Sequence, residues 1–211
     1  KGIMVTSLYQ NDIEFYKANG LFTGIDEAGR GALAGPVVVA AVVLNYEHII
    51  EGINDSKLLI PKKREELYLQ IVENAIDYSI VEISPAYIDR SNILKATLFG
   101  FKKAFFQLKC QPRHCLIDGR DIHFELKPYA KAIIKGDQLY ASIAAASILA
   151  KVHRDKLMLA YDDIYPEYGF ASNKGYGTEY HTKMIHSFGL SPIHRKSFKI
   201  PCMRSQEVLR S

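Results

Sequence analysis

The sequence predicts an α/β layered fold: a mixed sheet flanked by helices, with a small helical region toward the C-terminal end. Three observations lead there. Short β-branched apolar runs alternate with helical periodicities, the pattern of strands and helices stacked in layers. Two of those runs, residues 21–26 (LFTGID) and 36–44 (PVVVAAVVL), follow one another with no helix between, which argues against an all-parallel sheet. A chain of 211 residues holds one sizeable core but not two full domains.

Residues 1–20 read as an N-terminal segment, with Met4 as the natural start. The runs at 21–26 and 36–44 read as strands, the second opened by proline and rich in valine. Residues 61–76 (PKKREELYLQIVENAI) place proline at a helix start and space Leu67, Ile71, Val72 and Ala75 for one buried face. A strand over 78–83 follows. Ser84 and Pro85 then open one long helical stretch, in which Ile88, Leu94, Leu98, Phe101, Phe105 and Leu108 form the buried side. Two short runs come next, HCLID ending at Asp118 and KAIIKGD ending at Asp137. Residues 140–165 read as a long helix whose small residues allow close packing, stopped before Pro166, and a last helix runs from Thr178 to Gly189. The expected division is residues 21–165 for the core and 166–211 for the helical C-terminal region.

Composition narrows the function classes. At 48% hydrophobic and 24% charged residues, with no repeat or low-complexity tract, the chain is an ordinary globular one. A net charge of +4 permits an anionic partner without requiring one. Three cysteines with no C-x-x-C spacing offer neither a disulfide framework nor a zinc knuckle, so a reducing, cytoplasmic setting and a monomer are expected. No apolar stretch reaches membrane-spanning length, and the first residues lack a signal-peptide core.

Three apolar segments end in acids: Asp26 with Glu27, Asp118 and Asp137. One such acid is ordinarily a cap or turn residue. Three strand ends with the same feature point to a shared site, because buried like charges raise one another's pKa unless cations neutralise them. All-oxygen ligands suit Mg2+ or Mn2+, and the scattered histidines offer no zinc spacing. Such clusters serve phosphodiester chemistry. Asp26 and Glu27 would leave opposite faces of a regular strand, so sharing one site calls for a break in the pleat, which Gly29 and Gly31 make plausible. GRGALA (29–34) also fits the G-x-G-x-x-A dinucleotide fingerprint, but it runs into Pro36 and a strand where that fingerprint must open a helix. A glycine loop between strands instead lets backbone approach a ligand closely, and Arg30 suits a sugar-phosphate; a plain tight turn is the bland alternative. Lys174 and Tyr176 in GFASNKGYGT offer a charge and an aromatic face, and Ser56 and Lys57 in NDSKLL offer phosphate contacts or a helix cap.

Together these segments resemble ribonuclease HII, the type 2 ribonuclease H. The likeness runs from about residue 21 to 198 through GIDEAGRGALAGPVVVAAV, NDSK, LIDG, KGD, ASIAAASILAKVHRD, YGFASNKGYGT and HRKSF, in the family's order. It implies an RNase H-like fold and endonucleolytic cleavage of RNA in RNA/DNA hybrids. It also implies incision 5′ of single ribonucleotides in duplex DNA, leaving 3′-hydroxyl and 5′-phosphate ends, by two-metal-ion hydrolysis with Mg2+ or Mn2+. By the same resemblance Asp26, Glu27, Asp118 and Asp137 are the catalytic, metal-holding carboxylates. Gly29, Arg30 and Gly31 would sense the 2′-hydroxyl at the junction, and Tyr176 would contact the following deoxyribose. Asn173 departs from the family, which commonly has histidine there, so no acid or base work is assigned to it. Asp155 is an outlying candidate near the metals or a helix-surface ion pair. A non-catalytic duplex-binding module would be expected to have lost a carboxylate, and all four are present. The type 3 enzyme of the superfamily carries an extra N-terminal domain for which about twenty residues are too few. The C-terminal PCMRSQEVLRS shows no convincing clamp-binding peptide.

Overall fold

The structure is a computed structural model that describes residues 6–54, 56 and 58–201. Met4, Lys57 and the C-terminal peptide beyond Pro201 therefore lie outside the described residues. Five strands form one sheet in the order β3-β2-β1-β4-β5. These are β1 (Phe22–Ala28), β2 (Val37–Val43), β3 (Asp77–Ile83), β4 (His114–Asp118) and β5 (Ala130–Ile133). β2 is antiparallel to both β1 and β3, while β4 is parallel to β1 and to β5, which gives the expected mixed sheet.

β2 has no polar position because both its faces are covered. Val38, Ala40 and Val42 pack with Leu67 and Ile71 of α2 (Pro61–Asn74) and the alanine-rich start of α5 (Ala141–Ile164). Val37, Val39, Ala41 and Val43 pack on the other face with Phe101, Ala104 and Phe105. α5 lies against the sheet with little side-chain padding: a Cβ added at Gly24 of β1 would collide with the backbone of Ser142 and Ile143. Close approach there brings α5 directly over the strand that carries Asp26 and Glu27.

Three features differ from the sequence expectation. The long helical stretch after Ser84 is two helices, α3 (Pro85–Ser91) and α4 (Ile93–Gln107). Asn92 separates them at φ 103°, and its side chain accepts the Lys95 N–H at 2.9 Å, a polar cap inside an unbroken apolar periodicity. The strand read through Asp137 ends at Ile133, so Asp137 sits in a 3₁₀ turn over Gly136–Gln138. The N-terminal segment contains a helix, α1 (Ser7–Asn19), that turns Asp12 inward. Asp12 Oδ2 accepts the Ser142 N–H at 2.9 Å and the Tyr46 hydroxyl at 3.0 Å, so it caps α5 from another element.

Beyond α5, α6 (Phe170–Asn173) and α7 (Glu179–Phe188) share a small core with the loop after β1: Leu33, Ala34 and Met158 meet Tyr168, Phe170, Ile185 and Ile193. The last described segment is tied to α3, where Asp89 accepts backbone N–H groups of Lys196 and Ser197 at 3.0 and 2.9 Å.

Candidate active site

The register that builds the site is set by β1 and β4. Their parallel pairing is recorded up to Ile25 opposite Ile117, so the next residues, Asp26 and Asp118, leave adjacent strands at one level. Glu27 follows, and the β1–β2 ladder continues unbroken through Glu27↔Val39 and Ala28↔Val38. The pleat is therefore regular at the acid pair, contrary to the expected break. Both acids nevertheless face one space, because the cleft lies across the end of the strand and a long glutamate can reach round it. The turn comes two residues later, at Gly29 with φ 90°.

A cleft of about 290 Å³ is lined by Asp26, Glu27, Asp118, Gly29, Arg30, Gly31, Ser56, Ser147, Lys151 and Tyr176, with Ala28. Eight of the residues singled out in the sequence thus meet at one place. Asp137 is buried behind them, outside the lining. It is connected through its neighbour: Asp118 Oδ1 accepts the Gly136 N–H at 2.6 Å. Lys174 is also outside the lining, with its Nζ donating to the Ala171 carbonyl at 2.6 Å. Asp155 resolves into a helix-surface pair, 2.7 Å from Lys151 Nζ. Asn173 braces a turn, donating to the Tyr168 carbonyl at 2.7 Å and accepting the Gly175 N–H at 2.8 Å.

Two of the acids are disfavoured as anions. Burial pushes Asp26 well above the ordinary carboxylate range, and the charges of Glu27 and Asp118 add to it. Glu27 is raised to about 7, chiefly by burial; Arg30 opposes this and Asp118 reinforces it. Glu27 Oε1 lies 3.6 Å from Arg30 Nη1, while its Oε2 is buried with no hydrogen-bond partner. Among the described residues no three His, Cys, Asp or Glu side chains already stand close enough to enclose an ion. An orphaned buried carboxylate oxygen beside two further acids, with all-oxygen donors, fits a hard divalent cation and not zinc.

The loops around the acids are held by two buried arginines that sequence reasoning did not single out. Arg195 donates to the carbonyls of Gly29 (2.7 Å), Arg30 (2.9 Å) and Gly35 (3.0 Å). Arg154 donates to Ala34 (3.0 Å), Pro36 (3.0 Å) and Lys174 (2.8 Å), with its guanidinium 5.3 Å from the centre of the Tyr176 ring. The Leu33 N–H completes the join, donating to the Gly175 carbonyl at 2.8 Å. A histidine pair backs this loop. If His181 Nδ1–H donates to the Tyr176 carbonyl (2.8 Å), His181 Nε2 is left to accept from His194 Nε2–H (3.0 Å), and His194 Nδ1 accepts the Ser191 N–H (2.9 Å). That assignment keeps both rings neutral, and burial lowers both pKa values, His194 to about 4. In ILAKVHRD, Arg154 stands among Lys151, His153 and Asp155, so nothing local marks it as buried, and which carbonyls it would reach depends on packing alone.

The family model described as Ribonuclease HII matches residues 23–200. A curated Ribonuclease HII of Coxiella burnetii is 54% identical over 185 residues, covering 86% of this chain and 90% of the relative. Among solved structures, the ribonuclease H2 from Pyrococcus horikoshii OT3 superposes with a TM-score of 0.72 at 27% identity, covering 85% of this chain and 94% of that one. The RNase HII in a PCNA:RNase HII complex from Archaeoglobus fulgidus gives 0.73 at 26% identity, covering 88% and 98%. Among the described residues no helix is long and apolar enough to cross a membrane. With its sheet order, its strand-end acids and its relatives in agreement, the chain belongs to the ribonuclease HII family, the type 2 ribonuclease H endonucleases.

Proposed function

We propose that this enzyme cleaves the RNA strand of RNA/DNA hybrids and incises duplex DNA on the 5′ side of a single embedded ribonucleotide, leaving 3′-hydroxyl and 5′-phosphate ends. The observation that carries the reading is one cleft in which three acids meet a glycine loop: Asp26, Glu27 and Asp118 line it together with Gly29, Arg30, Gly31 and Tyr176. Asp26, Glu27 and Asp118, with Asp137 behind them, would hold Mg2+ or Mn2+. Two such ions, when bound, supply a nucleophile from water at neutral pH and stabilise the departing oxygen.

The protein's own residues do the selecting. Arg195 occupies the Gly29 and Arg30 carbonyls from behind, which fixes how that loop presents its edge to the cleft. Backbone polar groups held this way distinguish a ribose by its 2′-hydroxyl, which both donates and accepts. The Tyr176 ring, seated on Arg154, offers a flat face to the following deoxyribose, where a sugar with no 2′-hydroxyl fits closest. Lys57, outside the described residues, and Lys174 would serve phosphates, as the family resemblance implies.

The test is a labelled DNA duplex with one ribonucleotide, set against an all-DNA control, with Mg2+, Mn2+ or chelator. The expected result is a single metal-dependent cut 5′ of the ribonucleotide, absent in Asp118→Asn. Folded protein that makes no cut with any metal would sink the reading.

A further inference from the structure

Tyr176, the aromatic residue of the cleft, sits between Gly175 and Gly177, and Gly175 takes φ 82°, so the chain on either side does little to fix it. The hold on its backbone comes from hydrogen bonds made by the start of α7. The Tyr176 carbonyl accepts the Thr178 N–H at 2.8 Å and meets His181 Nδ1 at 2.8 Å. His181 in turn faces His194, Nε2 to Nε2 at 3.0 Å, and His194 Nδ1 lies 2.9 Å from the Ser191 nitrogen. Both rings are buried, His194 edge-on to Tyr168 and His181 edge-on to Phe170.

The two ends of this chain fix every proton between them. A backbone N–H can only donate, so His194 Nδ1 is the bare nitrogen and the hydrogen of that ring is on Nε2. The Ser191 hydroxyl, 2.7 Å from the same Nδ1, is left to donate as well. His181 Nε2 must then accept, which places its hydrogen on Nδ1, directed at a carbonyl that can only accept. A second proton on either ring would set two N–H groups against each other, at the contact between the rings or at Ser191. Neither histidine lines the cleft, yet their chain of bonds ends on a residue that does.

We propose that His181 and His194 are positioning residues for Tyr176: the directed chain from the Ser191 N–H to the Tyr176 carbonyl sets how the tyrosine ring stands in the cleft, and through it the fit of the sugar that follows the ribonucleotide. The proposal rests on the substrate reading of Tyr176 given above. A pair that only filled space would be served by two apolar rings. A pair with one allowed set of tautomers has a direction, and the direction ends at the tyrosine.

Two measurements test this. Long-range 1H–15N NMR on unmodified, substrate-free protein reads the tautomer of each ring, with His194 expected as Nε2–H and His181 as Nδ1–H. Any other pair of tautomers, or a ring charged at neutral pH, overturns the chain whatever the enzyme cuts. The second measurement is steady-state cleavage of the one-ribonucleotide duplex at saturating Mn2+, with thermal unfolding recorded for each variant. His181→Phe keeps a ring without a donor and should raise KM about tenfold with kcat within about twofold, the scale of one lost hydrogen bond acting through binding. His181→Asn, whose amide nitrogen stands where Nδ1 did, should recover most of that loss. In a Tyr176→Ala background, which itself raises KM, His181→Phe should add nothing, because it acts through the ring already removed. Additive effects would reduce the pair to support for the fold and overturn the proposal, as would wild-type KM in a folded His181→Phe. Should His181→Phe not fold, His194→Phe takes its place in the cycle. Wild-type KM in Tyr176→Ala would instead overturn the sugar contact itself, and the positioning role with it. A wild-type protein that cuts nothing overturns the nuclease reading, and with it any part for the pair in choosing substrate.

Discussion

Two regions of this molecule bury charge, and they treat it in opposite ways. At the strand ends, Asp26 and Glu27 are buried with few partners, and Glu27 Oε2 has none. A short distance away, Arg154 and Arg195 are buried with every guanidinium nitrogen satisfied by backbone carbonyls. Among the described residues neither arginine has a carboxylate within ion-pair distance, although the acids line the neighbouring cleft. The half-exposed Arg30 does approach an acid, at 3.6 Å from Glu27. Pairing the two groups would neutralise both and fill the site. Keeping them apart leaves the acids raised in energy until a cation arrives, and it spends the arginines on rigidity, since charged donors to carbonyls are among the stronger hydrogen bonds.

The most severe way to break this contrast is to remove an acid. Asp118→Asn should lower the cleavage rate about a thousandfold or more, because several kcal/mol of transition-state charge stabilisation depend on the ion it helps to hold. Duplex affinity, read by fluorescence anisotropy in chelator, should stay near that of wild type.

Removing an arginine should damage shape before chemistry. Arg195→Lys keeps the charge but cannot span three carbonyls, and leaving buried acceptors unpaired costs about 1–3 kcal/mol each. Melting should fall by several degrees. The ratio of cutting at a ribonucleotide to background cutting of DNA should fall further than in Arg30→Ala, whose side chain makes no carbonyl grip. Equal ratios in the two variants would show that the loop keeps its shape without Arg195.

A gentler probe uses protons. Since Glu27 sits near 7, a cation must displace a proton from it below that pH. Mg2+ affinity should therefore weaken as pH drops below 7, by up to about tenfold per unit, and calorimetry in buffers of different ionisation heat should show proton release. Affinity that stays flat between pH 6 and 8 would mean that Glu27 is already ionised.

The last probe lies away from both regions. Asp12 is raised to about 7, chiefly by burial, from an ordinary value near 4. Its folded form binds a proton that the unfolded chain has lost, so it favours folding at low pH and loses that contribution as pH climbs from 4 through 7, at most about 1.4 kcal/mol per unit. Above 7 both forms are ionised and the loss stops. Asp12→Asn should flatten this slope in urea unfolding between pH 5 and 7 and change little between 7.5 and 8.5. Parallel slopes for variant and wild type would place the proton elsewhere.

How far the sequence foretold this arrangement depended on the kind of information needed. The strand-end acids were legible because apolar runs and charges are local patterns, and the mixed sheet followed from two strands in succession. The Asn92 break was not, since Ile88 through Leu108 keep a helical period across it and only the φ of one residue differs. Nor was the regular pleat at Asp26 and Glu27: local alternation correctly places them on opposite faces, but where a cleft ends is a property of the surrounding layers. Helix α1 was obscured by its buried Asp12, a polar residue at a core position whose partners, Ser142 and Tyr46, are remote in the chain. The arginine grips failed for the same reason. A carbonyl carries no signature in the sequence, so a side chain that recognises only carbonyls leaves no paired residue to find.

The grip of Arg195 on Gly29 and Arg30 also sets a schedule for synthesis. The loop leaves the ribosome early, whereas the arginine that shapes it is added 165 residues later. Until then, a nascent chain that already contains all four acids still lacks the side chain that grips the loop. The grip on the loop is therefore completed only when nearly the whole described fold has emerged.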